Sequence, residues 1–176
     1  ELAYPDDPQH AAIAEILQAS WASVGASVEL DPVDHTSLLT DYLQVHEYQA
    51  ALTEINLTRT PDPDPYPFWH DTQIDTGQNY SGFSDRNVSI WLERARTIPD
   101  ITRRADSYRH FQHRFQDQIP ALLLYYPIYT YAIDAQVQGV SIGLLLDESD
   151  RFANISSWFM LARRSTTPGP ESDINP

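Results

Sequence analysis

The spacing of apolar residues changes repeatedly along the chain, and each change predicts a switch between strand and helix. A short apolar run at Leu2–Pro5 predicts the first strand. The stretch 6–25 then repeats its apolar residues with a helical period and ends at Gly25, which suits a helix C-terminus. The predicted buried stripe of this helix consists of Ile13, Ile16, Leu17, Trp21 and Val24.

The same two periods continue through the rest of the chain. Residues 26–33 alternate and predict a strand, 35–46 predict a shorter helix, and 47–55 predict a third strand. Helices are predicted over 85–98 and 101–120. The first of these two helices has Ser84 as its predicted N-cap. Their predicted buried residues are Val88, Trp91, Leu92, Ala95, Ala105, Tyr108, Phe111, Phe115 and Ile119.

Beyond the last helix, the composition favours strands and then an irregular end. Residues 121–134 are rich in β-forming side chains and predict one or two strands around Pro127, and 137–146 predict another. The tail 161–176 is rich in proline, serine and aspartate, and we predict that it is disordered.

Strands that alternate with helices indicate an α/β fold, in which helices flank a sheet. The irregular stretch 61–85 follows the third strand and is rich in proline, aspartate and aromatic residues. A long irregular segment inside a domain is usually functional or disordered, and disordered segments contain few aromatic residues. Because ligands of open α/β sheets bind outside the carboxyl ends of strands, the sequence predicts a site at this loop.

Composition excludes several classes of function. The formal net charge of −14 disfavours binding to nucleic acid and to anionic lipid. The chain has no cysteine, so disulfides and thiolate chemistry are impossible. The histidines show no metal-ligand spacing, and the chain has no nucleophile-elbow or phosphate-loop motif. We therefore predict a non-enzymatic protein with neither a cofactor nor a metal site.

Aromatic and polar residues near the predicted loop are the candidate ligand contacts. Aromatic rings with polar tips can line a pocket, although each of them can equally pack the loop onto the sheet. For any single residue, we expect packing against the protein more than contact with a ligand. For the cluster as a whole, we expect that it forms a wall of a ligand pocket. The candidates are Glu54, Asn56, Arg59, Asp62, Trp69, Asn79, Tyr80 and Tyr126.

Several motifs in succession resemble the family 5 extracellular solute-binding proteins of ABC importers, which include dipeptide, oligopeptide and nickel binders. The acid-proline segment "PDPDPYPFW" is followed by "NYSGF", by helices that carry "SIWLERAR" and "RADSYRHFQ", and by "PALLLYY" and "VQG". The family usually has Asp where "SIWLERAR" begins with Ser. The resemblance extends to about residue 160 and rests on the order and spacing of the motifs.

The resemblance implies a class II periplasmic-binding-protein-like lobe over 1–160, corresponding to the C-terminal lobe of a longer two-lobed chain. Its expected partners are a peptide or other small polar solute, the N-terminal lobe and membrane permease subunits. The expected location is extracellular or periplasmic, with membrane anchoring through a segment upstream of this sequence.

One departure from the family affects the expected ligand. Peptide-binding members often carry a "W-x-x-D" stretch whose Asp pairs with the peptide amino terminus, whereas this chain reads "TEINLTRT" there. Glu54 or Asp62 could replace that Asp, or the ligand could lack an ammonium group. Two other functions stay open from the residues alone: a hydrolase-like enzyme that uses loop carboxylates, and a protein-interaction module with an aromatic face.

Overall fold

The structure, a computed structural model, describes residues 1–56, 63–143, 145 and 147–161. The chain separates into two compact units, residues 1–124 and residues 125 onward. The predicted domain boundary at residue 160 and the predicted disorder of the tail stay predictions, because residues 162–176 lie outside the described ranges.

A three-stranded parallel sheet organises the first unit. Strand β1 (Leu2–Pro5) lies in the centre, with β2 (Leu30–Val33) on one side and β3 (Ala50–Ala51) on the other. Leu2 is in register with both Leu30 and Ala50. Pro32 cannot donate a backbone hydrogen bond, and β2 tolerates it because β2 is an edge strand.

Helix α1 (Pro8–Ser23) connects β1 to β2 and begins at a well-formed cap. The Asp7 carboxylate accepts hydrogen bonds from the backbone N–H groups of Gln9 and His10, and Pro8 occupies the first turn, where its missing N–H is not needed. Gly25 follows the helix with a φ of 87°, a left-handed conformation that glycine adopts without strain. The predicted helix end is therefore confirmed.

The connection from β2 to β3 is a short helix α2 (His35–Ser37) that continues as a π-helical segment, Leu38–Leu43. The side chains of β1 alternate between two apolar clusters. Leu2 and Tyr4 pack with α1 residues such as Ala14, whereas Ala3 packs with buried residues of the π-helical segment. The sheet is thus covered on both faces, as the α/β prediction required.

A third apolar cluster joins the loop after β3 to a helical hairpin. Helix α3 (Tyr66–Trp69) precedes α4 (Arg86–Thr97) and α5 (Ile101–Gln118), and a 3₁₀ turn, Asp71–Gln73, follows α3. The buried members of this cluster are Phe68, Trp69, Val88, Leu92 and Phe111.

The second unit contains one short antiparallel pair, β4 (Val137–Gln138) with β5 (Phe159–Met160), and two 3₁₀ turns, Glu148–Phe152 and Ile155–Ser157. None of its described residues is buried. A two-stranded sheet without a buried core is marginally stable by itself.

Several sequence predictions of local structure are wrong in detail. Ile16 of α1 is exposed, because the buried face of this helix is centred on the small residue Ala14. Val24 and Ile119, which follow α1 and α5, are exposed as well. The cap of α4 is Asp85, not Ser84. The predicted strands at 121–134 are absent from the described residues, and those at 47–55 and 137–146 are reduced to two residues each.

The loop rings also pack elsewhere than predicted. Phe68 and Trp69 lie against the α4–α5 hairpin instead of the sheet, and only Tyr80 packs with the cluster that contains Ala3 of β1. None of the helices in the described ranges combines the length and the apolar character needed to cross a lipid bilayer.

Leu92 tests the third cluster, because its side chain is 1% exposed whereas Ile90 on the same helix is 41% exposed. We expect Leu92→Ala to lower the free energy of unfolding by about 2–5 kcal/mol through cavity formation. The matched variant Ile90→Ala should change it by less than about 1 kcal/mol. Urea denaturation followed by circular dichroism measures both, and equal losses would contradict this packing.

Candidate functional site

The carboxyl ends of the three parallel strands meet at one edge of the sheet and form a cleft. The chain leaves β1 toward β2 on one side, and β3 lies on the other side, so this edge is a topological switch point. The cleft has a volume of about 320 Å³. It is lined by Pro5, Asp6, Asp7, His10, Asp34, His35 and Glu54.

Carboxylates dominate the polar groups of this cleft, and one histidine connects two of them. The Nδ1 atom of His10 lies 2.5 Å from Oδ2 of Asp7, and its Nε2 atom lies 3.7 Å from Oε1 of Glu54. The His10 side chain is 12% exposed, whereas that of Glu54 is 72% exposed. Glu54 therefore presents its carboxylate to solvent at the mouth of the cleft.

Two of the cleft aspartates cap the helices that follow their strands. Hydrogen bonds from the backbone N–H and the side chain of His10 lower the pKa of Asp7. Hydrogen bonds from the side chain and backbone N–H of Ser37 lower the pKa of Asp34, and the Thr36 N–H adds to the effect. Both carboxylates are consequently ionised at neutral pH, and the cleft carries negative charge.

These shifts also bear on acid–base catalysis within the cleft. A carboxylate pair that acts as acid and base needs its two pKa values pushed apart, whereas Asp7 and Asp34 are both shifted downward. The described part of the chain also has no group of three or more His, Asp or Glu side chains arranged to hold a metal ion.

Of the predicted site residues that the structure describes, Glu54 is the one that lines this cleft. Asn56 is exposed two residues further along. Arg59 and Asp62 lie outside the described residues. Tyr126 belongs to the second unit, where 84% of its surface is exposed.

The fully buried Asn79 holds the loop together. Its amide nitrogen donates to the backbone carbonyls of His70, at 3.0 Å, and Phe83, at 2.8 Å. Its oxygen accepts from the Phe83 N–H and the Ser81 hydroxyl, each at 3.1 Å. These four bonds occupy the polar atoms of the Asn79 side chain in this structure.

Trp69 and Tyr80 are likewise packed against the protein. The Trp69 ring is 7% exposed and meets the Phe115 ring edge-on, with their centroids 4.7 Å apart. Tyr80 is partly buried, and burial raises the pKa of its hydroxyl. Its backbone carbonyl accepts hydrogen bonds from the Tyr48 hydroxyl and from a ring nitrogen of His46. A role of these residues in ligand contact stays a prediction.

Sequence reasoning missed the contributions of β1 and β2 to the cleft. A signal was present, because each strand is followed at once by an aspartate that caps the next helix and by a histidine: Asp7 with His10, and Asp34 with His35. The histidines looked unrelated in sequence, since only parallel pairing on the two sides of β1 brings these strand ends together.

Comparison with known proteins finds relatives of this chain among binding proteins. No protein-family model matches the chain. It is 28% identical over 146 residues to the oligopeptide-binding protein OppA of Bacillus subtilis, a match that covers 80% of this chain and 25% of OppA. This chain is a relative of the oligopeptide-binding proteins. AppA of the same organism, also an oligopeptide-binding protein, is 21% identical over 84% of the chain and 26% of its own length.

Solved structures agree on the fold. The structure of AppA in complex with a nonapeptide superposes with a TM-score of 0.70 at 20% identity, over 92% of this chain and 31% of AppA. The periplasmic binding protein DppA of Helicobacter pylori, in complex with the peptide STSA, gives 0.65 at 21% identity over 90% and 30%. The predicted periplasmic-binding-protein-like fold is confirmed.

The comparisons also confirm the predicted resemblance. The homologues and structural neighbours are oligopeptide-, dipeptide- and nickel-binding proteins of the family 5 type, and they are binding proteins instead of enzymes. The chain spans about a quarter of the length of the curated relatives that it matches.

The lowered pKa of Asp7 gives a pH-dependent prediction. A carboxylate with a depressed pKa stabilises the fold above its unfolded-state value, about 3.9, and this contribution is lost as the pH falls through the folded-state value. We expect Asp7→Asn, which keeps a capping side chain, to lower the thermal unfolding midpoint at pH 7 and to match the parent at the acid end. Calorimetry from pH 2.5 to 7 measures this, and a pH-independent difference would contradict it.

The side-chain hydrogen bonds of Asn79 predict that its removal destabilises the fold. We expect Asn79→Ala to lower the free energy of unfolding by about 3 kcal/mol, because it orphans buried backbone groups of His70 and Phe83. The exposed Asn87 provides the control, and Asn87→Ala should cost less than about 1 kcal/mol. If Asn79→Ala leaves stability unchanged but abolishes solute binding, Asn79 is a ligand contact instead.

Proposed function

We propose that this chain is part of the substrate-binding component of an ABC-type importer and that it binds a peptide or another small polar solute. The cleft at the carboxyl ends of β1, β2 and β3 carries the proposal, because it lies where open α/β sheets bind ligands. The names of the relatives, which are oligopeptide-binding proteins, support the same solute class.

The rest of the binding site comes from a second lobe. The chain spans 25% of OppA, and its second unit exposes large apolar side chains such as Ile128, at 91%, and Leu161, at 77%. A second lobe would close over the cleft. Closure driven by the higher solute affinity of the closed state would then present that state to permease subunits in the membrane.

The charge of the cleft favours a solute with a positively charged group. Asp6, Asp7, Asp34 and Glu54 line it together with two histidines, and none of the described residues that line it is an arginine. A protonated amine, such as the amino terminus of a peptide, suits this wall. Glu54 would take the role of the Asp that the "W-x-x-D" stretch supplies in peptide-binding members, and its exposure leaves it available to a solute.

The proposed location is extracellular or periplasmic, with membrane anchoring through a segment upstream of this sequence. Two of the structural neighbours, DppA of Helicobacter pylori and the murein-tripeptide-binding MppA, are named as periplasmic proteins. Proteins in that location meet external solutes before a permease does.

Glu54 supplies the sharpest test. Native mass spectrometry of the intact two-lobed protein identifies the bound solute, and calorimetric titration then measures its affinity. We expect Glu54→Gln to weaken binding of a cationic solute about tenfold, equivalent to ~1.4 kcal/mol. The control Glu15→Gln, an exposed site on α1 outside the cleft, should bind like the parent.

The test separates a failure of the proposed function from a failure of the proposed role of the acidic cleft. If the intact protein binds no peptide or other small polar solute, the proposed function is wrong. If it binds a solute but Glu54→Gln and Glu15→Gln are indistinguishable, the function stands and the acidic cleft is not where the positive charge binds. A peptide with an acetylated amino terminus gives a matched ligand-side control.

A further inference from the structure

The outer side of the α4–α5 hairpin carries a second concave site, which the proposed function does not use. Its volume is about 260 Å³. It is lined by Trp91 and Arg94 of α4 and by Arg103, Asp106, Ser107 and His110 of α5. This volume is smaller than that of most drug-sized ligand pockets, so it suits a small ligand.

Two arginines of this site lack acidic partners. In the described part of the chain, neither Arg94 nor Arg103 has a carboxylate within ion-pair distance, whereas Arg96 pairs with Asp64 and Arg114 with Asp85. The one carboxylate in the site, that of Asp106, is neutralised by Arg109 at 2.8 Å. The site is therefore positive in a chain with a net charge of −14.

The helix dipole explains one of these arginines but not the other. Arg94 lies in the last turn of α4, where a cation is favourable. Arg103 lies in the first turn of α5, where the partial charge of the helix is also positive. An anion beside Arg103 would relieve this unfavourable pairing.

The hydroxyl of Ser107 points independently to a ligand. Ser107 is only 4% exposed and lines the site, yet its hydroxyl has no hydrogen-bond partner among the described residues. The hydroxyl can donate to an oxygen atom in the cavity. The rings of Trp91 and His110, which also line the site, stack with their centroids 5.3 Å apart.

We propose that this site binds a small oxyanion, a phosphate or a carboxylate, between the guanidinium groups of Arg94 and Arg103. The Ser107 hydroxyl donates to one of its oxygen atoms. Guanidinium groups match the geometry of both anions, and hydrogen bonds between charged groups are the stronger ones. The binding is independent of the cleft at the sheet edge and of its solute.

The test is an NMR titration of the whole 176-residue chain, labelled with ¹⁵N, with inorganic phosphate and, separately, succinate. Sodium chloride keeps the ionic strength constant, because exposed charge pairs are screened by salt. We expect saturable shifts of the Trp91 indole and Ser107 amide signals with at least one of the two anions. The anion that saturates at the lower concentration identifies the ligand class.

Variants then assign the shifts to this site. We expect Arg103→Gln to weaken binding at least fivefold and Ser107→Ala about threefold, the effects of losing a charged and a neutral hydrogen bond. Arg86→Gln, which removes an arginine of α4 outside the site, should bind like the parent. Shifts that do not saturate with either anion, or equal losses in Arg103→Gln and Arg86→Gln, would overturn the proposal.

Discussion

The first unit depends on the central position of β1. This strand pairs in parallel with both neighbours, and its side chains alternate between the cluster under α1 and the cluster under the π-helical segment. Its four residues are all buried, which explains why its sequence is apolar throughout instead of alternating. The same pairing aligns three strand ends, and from that alignment comes the cleft.

The cleft and the helix caps are one arrangement. Asp7 and Asp34 follow two strands and accept hydrogen bonds from N–H groups in the first turns of the next helices. The hydrogen bonds that start the helices therefore hold these carboxylates in place and keep them ionised. Glu54 caps none of the described helices. Its side chain is 72% exposed at the cleft, so its carboxylate can meet a solute.

The loop after β3 connects the sheet to the helical hairpin through buried polar contacts as well as apolar ones. Asn79 binds the loop to itself, while His70, which is 1% exposed, lies 3.2 Å from Glu93 of α4. At the start of α4, burial opposes the charge on Asp85, but hydrogen bonds from Arg114 and from the backbone N–H groups of Val88 and Asn87 outweigh it and lower its pKa. The loop therefore has a structural role that its aromatic content alone did not reveal.

The sequence alone determined the α/β class, α1, α4 and α5, and the resemblance to solute-binding proteins, because caps, breakers and a helical period act over short distances. It also indicated Glu54, which lies between the third strand and the irregular stretch 61–85. The tertiary structure decided the rest. It buried Ala14 where Ile16 was expected, because a small residue lets α1 approach the sheet, and it buried Trp69 and Asn79 within the fold. Asp7, His10 and Asp34 reach one cleft only through pairing between strands distant in sequence, which no local pattern encodes.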